Sequence, residues 1–218
     1  MRSRVDAVIF DCDGTLVDSE TLGPSVLFDC LCERGVSRDL LDLRQVRGRN
    51  LVDYLAEIEA VCGIPLPEDV VLPEYRSRLT GAFRGRLMPI AGARALVEAV
   101  ASRVPVAVAS SAAKEKIVMS LSFTGLESFF TGRIYSSYDI RSWKPEPGLF
   151  LHVARELGIP PERCAVVEDS APGVTAGIAA GMLVFALETE GVELSAIPGV
   201  RRAASLTSVG EMLLPMLG

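Results

Sequence analysis

Residues 5–15, VDAVIFDCDGT, set the terms on which the rest of the chain reads. Val5 to Phe10 is a short, mainly apolar run, the pattern of a buried parallel strand. It ends on Asp11, and Gly14 then turns the chain, so the strand's carboxyl end opens on a loop. In extended backbone, residues i and i+2 point the same way, so Asp11 and Asp13 face one side and Cys12 the other. Two carboxylates at one strand end repel unless a cation or a proton lies between them. Taken alone, the same four letters also spell an ordinary solvated turn.

The grammar recurs downstream. Strands are expected at 104–109, 133–135, 164–167 and 182–187, separated by helices at 89–102, 112–121, 146–157 and 172–180. Strands alternating with helices of about ten residues mean βαβ units, hence an α/β fold with a doubly wound, Rossmann-like parallel sheet. In such sheets ligands sit at the carboxyl ends of the strands. Residues 17–86 break the alternation. Apolar positions at helical spacing predict helices at 51–62, behind an Asn50 N-cap, and at 21–34 and 68–83, with a turn at 63–67. The expected division is an α/β core of 1–16 plus 87–218 and an inserted, all-helical domain of 17–86.

Composition narrows the function. The chain has 218 residues, 49% hydrophobic and 23% charged, enough apolar matter for a sizeable core. A net charge of −6, without a basic run, argues against nucleic acid or an anionic membrane as the main partner. The longest uncharged run, 170–187, holds Pro172, Gly173, Gly177 and Gly181, which break it into turn, helix and strand rather than a membrane span. Five cysteines, an odd number without zinc-site spacing, suit a cytoplasmic protein with reduced thiols. His152 is the only histidine and falls in a helical pattern, so a His-based triad is disfavoured. Lysine is scarce as well: Lys114, Lys116 and Lys144 stand against 19 arginines. Chemistry here runs on carboxylates, hydroxyls or lysine.

Three further stretches supply such groups. Ser110 ends the second long strand, where a helix N-cap is the plain reading. Lys144 lies in the rigid segment WKPEP at 143–147, where a solvated surface lysine is the plain reading. Glu168, Asp169 and Ser170 end another strand, and either of the last two is able to cap the next helix. Doubly wound topology brings all of these to one rim, and there the plain readings weaken. Asp11, Asp13, Glu168 and Asp169 together call for a divalent cation, and an all-oxygen ligand set suits Mg2+. A hydroxyl, a lysine and loop N–H groups complete a phosphate site.

In order, DCDGTLVDSE (11–20), ASS (109–111), WKPEP (143–147) and EDSAPGVTAG (168–177) resemble the four motifs of the haloacid dehalogenase superfamily, in its helical-cap subclass. The resemblance spans essentially the whole chain. Within the subclass it is similar to phosphoglycolate, sugar-phosphate and 6-phosphogluconate phosphatases and to β-phosphoglucomutases. Trp143 departs from the glycine usual before the lysine. The resemblance implies a Mg2+-dependent phosphatase of a small phosphorylated metabolite, a monomer with a small-molecule phosphate ester as its partner. Asp11 would be the nucleophile that forms an aspartyl-phosphate, and Asp13 the general acid and base. Ser110, Ser111 and Lys144 would bind the phosphoryl oxygens. Asp11, the Asp13 carbonyl and Asp169 would hold Mg2+, with Glu168 either a direct ligand or one step behind the ligands; Thr15 would orient the loop, and the cap would exclude water.

Asp13 argues against the dehalogenases, which lack that second acid, and the chain is too long for a receiver domain. The rival reading is a phosphomutase like the β-phosphoglucomutases. Those carry a histidine where this chain has Gly23, and a cap lysine; residues 17–86 contain neither Lys nor His. In the cap, Arg44, Arg47 and Arg49 cluster, as do Arg76, Arg78, Arg84 and Arg86. Arg47 and Arg49, either side of Gly48, are the expected contacts to a second anionic group of the substrate, such as the carboxylate of a phosphogluconate.

Overall fold

Ala7–Phe10 forms β1, four consecutive buried residues, because β1 is flanked by strands at both edges and covered on both faces. The computed structural model describes residues 4–42, 46, 51–188 and 199–218. Among the described residues six strands make one sheet: β1, β2 (Val106–Ser110), β3 (Ile134–Ser136), β4 (Cys164–Glu168), β5 (Leu183–Leu187) and β6 (Arg201–Ala203). Their order is β3-β2-β1-β4-β5-β6, and every pair is parallel. The chain winds outward from β1 in one direction through β2 and β3, then in the other through β4 to β6. The winding therefore reverses between β1 and β4, where such sheets open a crevice beyond their carboxyl ends. The register puts Phe10 beside both Val108 and Val167, so Asp11 emerges level with the end of β4.

The helical unit Ser19–Leu87 contains α1 (Ser19–Glu33), α2 (Leu51–Cys62) and α3 (Glu68–Arg86). Its own core gathers Leu27, Phe28, Leu31, Tyr54, Leu55, Ile58 and Val71. Arg78 grips the Glu33 carboxylate with two bonds of 2.7 and 2.6 Å and also pairs with Glu74, tying α3 to α1. Arg78 is thus committed to holding this unit together, not to a ligand. The crossings between the units sit slightly later than expected. Val17 bridges Pro89, and Asp18 N donates to Met88 O at 2.9 Å, which keeps residues 17 and 18 with the sheet. Asn50, Arg44, Arg47 and Arg49 lie outside the described residues.

The sheet unit adds α4 (Ala93–Ala101), α5 (Lys114–Phe123), α6 (Ser137–Ile140), α7 (Gly148–Leu157), α8 (Ala171–Ala179) and α9 (Leu206–Leu213). Ile9, Ala107, Leu149, Phe150, Val153, Val166, Val174 and Val184 pack one face of the sheet. The uncharged run 170–187 divides into α8 and β5, with Gly181 at φ +74° between them. Among the described residues no helix is long and apolar enough to cross a membrane. His152 is half-buried, edge-on to Tyr135 with ring centroids 5.7 Å apart, and its Nδ1 lies 2.7 Å from Arg155. That is a packing role.

Candidate active site

The loop after β1 is wound tightly enough to bring both of its aspartates to the sheet's edge. Asp11 N donates to Val167 O at 3.0 Å, continuing the ladder one residue past the strand. Leu16 N and Val17 N then both donate to Cys12 O, at 2.9 and 3.0 Å, and Gly14 N donates to Val17 O. The turn needs glycine for two reasons. Gly14 has φ +85°, and a Cβ there would overlap Oδ2 of Asp169. Thr15, fully buried, donates its hydroxyl to Oδ1 of Asp169 at 2.7 Å, which fixes the β1 loop to the β4 loop.

Lys144 joins the two strand ends. Its ammonium contacts Oδ1 of Asp11 and lies 2.6 Å from Oε1 of Glu168, with only 5% of the side chain exposed. The ammonium lies over the Phe150 ring, with Nζ 5.2 Å from the centroid. Glu168 spends its other oxygen on Ser170, accepting from N at 2.6 Å and from Oγ at 2.9 Å. Ser170 Oγ accepts in turn from Gly173 N at 3.1 Å and so caps α8. Glu168 is therefore occupied on both sides: it holds Lys144 and the α8 cap.

Gly173 makes this close approach possible, since a Cβ there would overlap the Glu168 carboxylate. Gly173→Ala is expected to cost about 1–3 kcal/mol through overpacking. It should also lower turnover by displacing Lys144, read as a drop in both Tm and kcat. A variant matching wild type in both would show that Glu168 has room to spare.

The electrostatics are unbalanced. Asp11, Glu168 and Asp169 are all buried, with the Lys144 ammonium among them. Burial pushes the Asp11 carboxyl up; Lys144 pulls it down, while Glu168 and Asp169 push it up again, leaving it well above the usual range. For Lys144, burial lowers the pKa, but Asp11 and Glu168 outweigh that and hold it above its ordinary value. Cys12 is buried between the aspartates, and burial, then Asp13 and Asp11, push its thiol well above the usual range. It is no nucleophile.

Excess negative charge and hard oxygen donors are what a divalent cation requires, so these residues fit one. Among the described residues no three His, Cys, Asp or Glu side chains form a ready-made ligand cluster. The Lys144 ammonium stands between Asp11 and Glu168.

Of the other expected residues, Ser110 is buried at the end of β2, its Oγ accepting from Ala112 N at 3.1 Å. Ser111 beside it is exposed. Asp13 is half-buried, with Oδ1 2.9 Å from the Lys116 ammonium. Arg47 and Arg49 are outside the described residues. Ser170 caps α8, one of the two expected candidates, and Lys116 and Gly173 are the members of this constellation to which motif reading gave no role. The scarcity of lysine was the one sequence signal pointing at Lys116.

Residues 5–181 match the haloacid dehalogenase-like hydrolase family. The chain is 34% identical over 184 residues to the 6-phosphogluconate phosphatase of Escherichia coli (strain K12), covering 84% of this chain and 82% of that one. It is 28% identical over 186 residues to the fructose-1-phosphate phosphatase YqaB of the same organism, covering 84% and 96%. The crystal structure of a HAD family hydrolase from Deinococcus radiodurans R1, with bound phosphate and sodium, superposes with a TM-score of 0.82 at 31% identity, covering 98% of this chain and 97% of that one. The chain therefore belongs to the haloacid dehalogenase-like hydrolase family.

Proposed function

We propose that this protein is a phosphatase that hydrolyses a small phosphorylated sugar or sugar acid through an aspartyl-phosphate on Asp11. The observation that carries the reading is the Lys144 ammonium held between Asp11 and Glu168 at the crevice between β1 and β4. An ammonium fixed beside a buried carboxylate both orients the nucleophile and offers charge to a phosphoryl group. The names of the two Escherichia coli relatives support a sugar phosphate as the substrate class.

The steps follow from the chain's own groups. An Asp11 carboxylate oxygen attacks phosphorus, forming the acyl phosphate as the ester P–O bond breaks. Asp13 donates its proton to the departing oxygen, so the product leaves as a neutral alcohol. Asp13, now a carboxylate, takes a proton from a water that attacks phosphorus; inorganic phosphate leaves and Asp11 is restored. Ser110 and Lys144 hold the phosphoryl oxygens throughout, with exposed Ser111 at the rim. Thr15 and Gly14 keep Asp169 in place. Glu168 serves by holding Lys144 rather than by binding metal directly. A Mg2+ ion held by Asp11, Asp169 and the Asp13 carbonyl would cancel the excess charge, keep Asp11 ionised and draw charge from the phosphoryl oxygens. Arg47 and Arg49 remain the proposed contacts to a substrate carboxylate. Hydrolysis is favoured over phosphomutase chemistry because residues 17–86 offer no Lys or His to hold and return a second phosphate.

A panel of phosphate esters assayed with Mg2+ tests the reading. The expected result is highest kcat/KM for sugar and sugar-acid phosphates, with activity lost in excess chelator. Full activity in chelator would refute the cation, and release of an isomeric phosphate without free phosphate would replace the phosphatase with a mutase.

A further inference from the structure

Two of the chain's three lysines each meet one aspartate of the pair that follows β1: Lys144 meets Asp11, and Lys116 meets Asp13 at 2.9 Å. Lys116 is the third residue of α5, and Lys114 is the first. That is an unfavourable place for a cation, because the amino end of a helix already carries partial positive charge from its unpaired N–H groups. Local rules broken without a local gain mark function. Lys114 lies 3.8 Å from Asp139, with both side chains 52% exposed. Lys116 reaches a partly enclosed carboxylate, 20% exposed, from a helix that starts just after Ser110. The strand end that carries the phosphate-binding hydroxyl thus also carries the group that holds Asp13.

We propose that Lys116 is a positioning residue that fixes the Asp13 carboxyl group where it protonates the leaving oxygen. This rests on the phosphatase reading, in which Asp13 is the general acid. A side chain on a turn has several rotamers, and a proton donor a fraction of an ångström astray loses much of its effect. The 2.9 Å contact selects one of them. No bond to substrate is required of Lys116.

The leaving group makes this testable apart from any effect on folding or on phosphate affinity. A sugar alkoxide needs its proton in the transition state, whereas p-nitrophenolate leaves unaided. Because kcat/KM reports only as far as the first irreversible step, it isolates transfer to Asp11. Lys116→Met is expected to lower kcat/KM for a sugar phosphate about tenfold or more, and for p-nitrophenyl phosphate less than about twofold. Lys116→Arg, which keeps a donor within reach of Asp13, should recover most of the loss, and Lys114→Met should match wild type on both esters. Equal losses on the two esters would make Lys116 a general source of positive charge and overturn the proposal, as would no loss on either. Asp13→Asn is measured beside them. If it shows the leaving-group contrast and Lys116→Met does not, only the role of Lys116 falls. If Asp13→Asn shows no contrast, the general-acid assignment falls and takes this proposal with it.

Discussion

Asp11→Asn is expected to be inactive and yet at least as stable as the wild type in metal-free buffer near pH 7. Both halves come from the same geometry. The amide cannot form an acyl phosphate that hydrolysis regenerates, so turnover should drop below detection. The charge of Asp11, meanwhile, is a cost to the folded state. Burial, Glu168 and Asp169 together outweigh Lys144 and hold the carboxyl well above its unfolded value. A group whose folded pKa is raised contributes stability that is full below the unfolded pKa, and loses it as pH rises through the folded value. At neutral pH an ionised Asp11 is therefore a burden that asparagine lifts, while its oxygen still accepts from Lys144. Tm and turnover should move in opposite directions. A variant that loses both would mean Asp11 is a structural partner of Lys144 before it is anything else. Asp13→Asn, by contrast, should lose about two decades of turnover on a sugar phosphate, the usual worth of a general acid and base.

Lys144→Met should be inactive and unstable together. It leaves Asp11 and Glu168 buried against each other with no cation, and removing one partner from a buried ion pair costs about 3–5 kcal/mol. On the proposed mechanism it also removes the charge nearest the phosphoryl group, for which a loss of about a hundredfold or more in kcat is expected. Lys144→Arg should rescue little of this, since a planar fork cannot take the place of a compact ammonium seated 5.2 Å from the Phe150 ring centroid. The pH dependence has a definite sign. Lys144 is held above its ordinary value, so its contribution is complete below the unfolded lysine range, about pH 10.4, and is lost as pH rises beyond that. The Tm gap between wild type and Lys144→Met should thus persist at pH 7–9 and narrow only in stronger alkali. An active Lys144→Arg variant with wild-type Tm would make Lys144 an ordinary lysine.

Much of the sheet was legible because its strands are buried on both faces and so read as unbroken apolar runs, as in AVIF and CAVVE. β6 was not, because Arg201-Arg202-Ala203 is an edge strand with two exposed arginines and no apolar pattern. α9 behind it went unread with it. β3 sits one residue later than its composition suggests, since its pairing with Val108–Ser110 of β2 sets its bounds rather than its own letters. Within the site, Asp11, Lys144, Glu168 and Asp169 stood out because they end strands or follow rigid turns. Which oxygen each would use was invisible to spacing. Glu168 read as one more acid for a cation, and only the bonds to Lys144 and Ser170 show it as the lysine's holder. Arg78 looked like part of a free basic cluster because its partner Glu33 belongs to a different helix. Lys116 escaped for the same reason: its meeting with Asp13 is a product of how β1 and β2 lie side by side.

The central claim is that phosphate passes through Asp11, and the most direct measurement is the mass of the peptide that carries it. Enzyme mixed with saturating sugar phosphate and Mg2+ is quenched in acid within one turnover, digested, and its peptides weighed. The account predicts that the peptide containing Asp11 gains the mass of one phosphoryl group during turnover and loses it when substrate is exhausted, with no gain in Asp11→Asn. Phosphate released at the full rate with that peptide unmodified, or a phosphoryl group found on another residue, would contradict it.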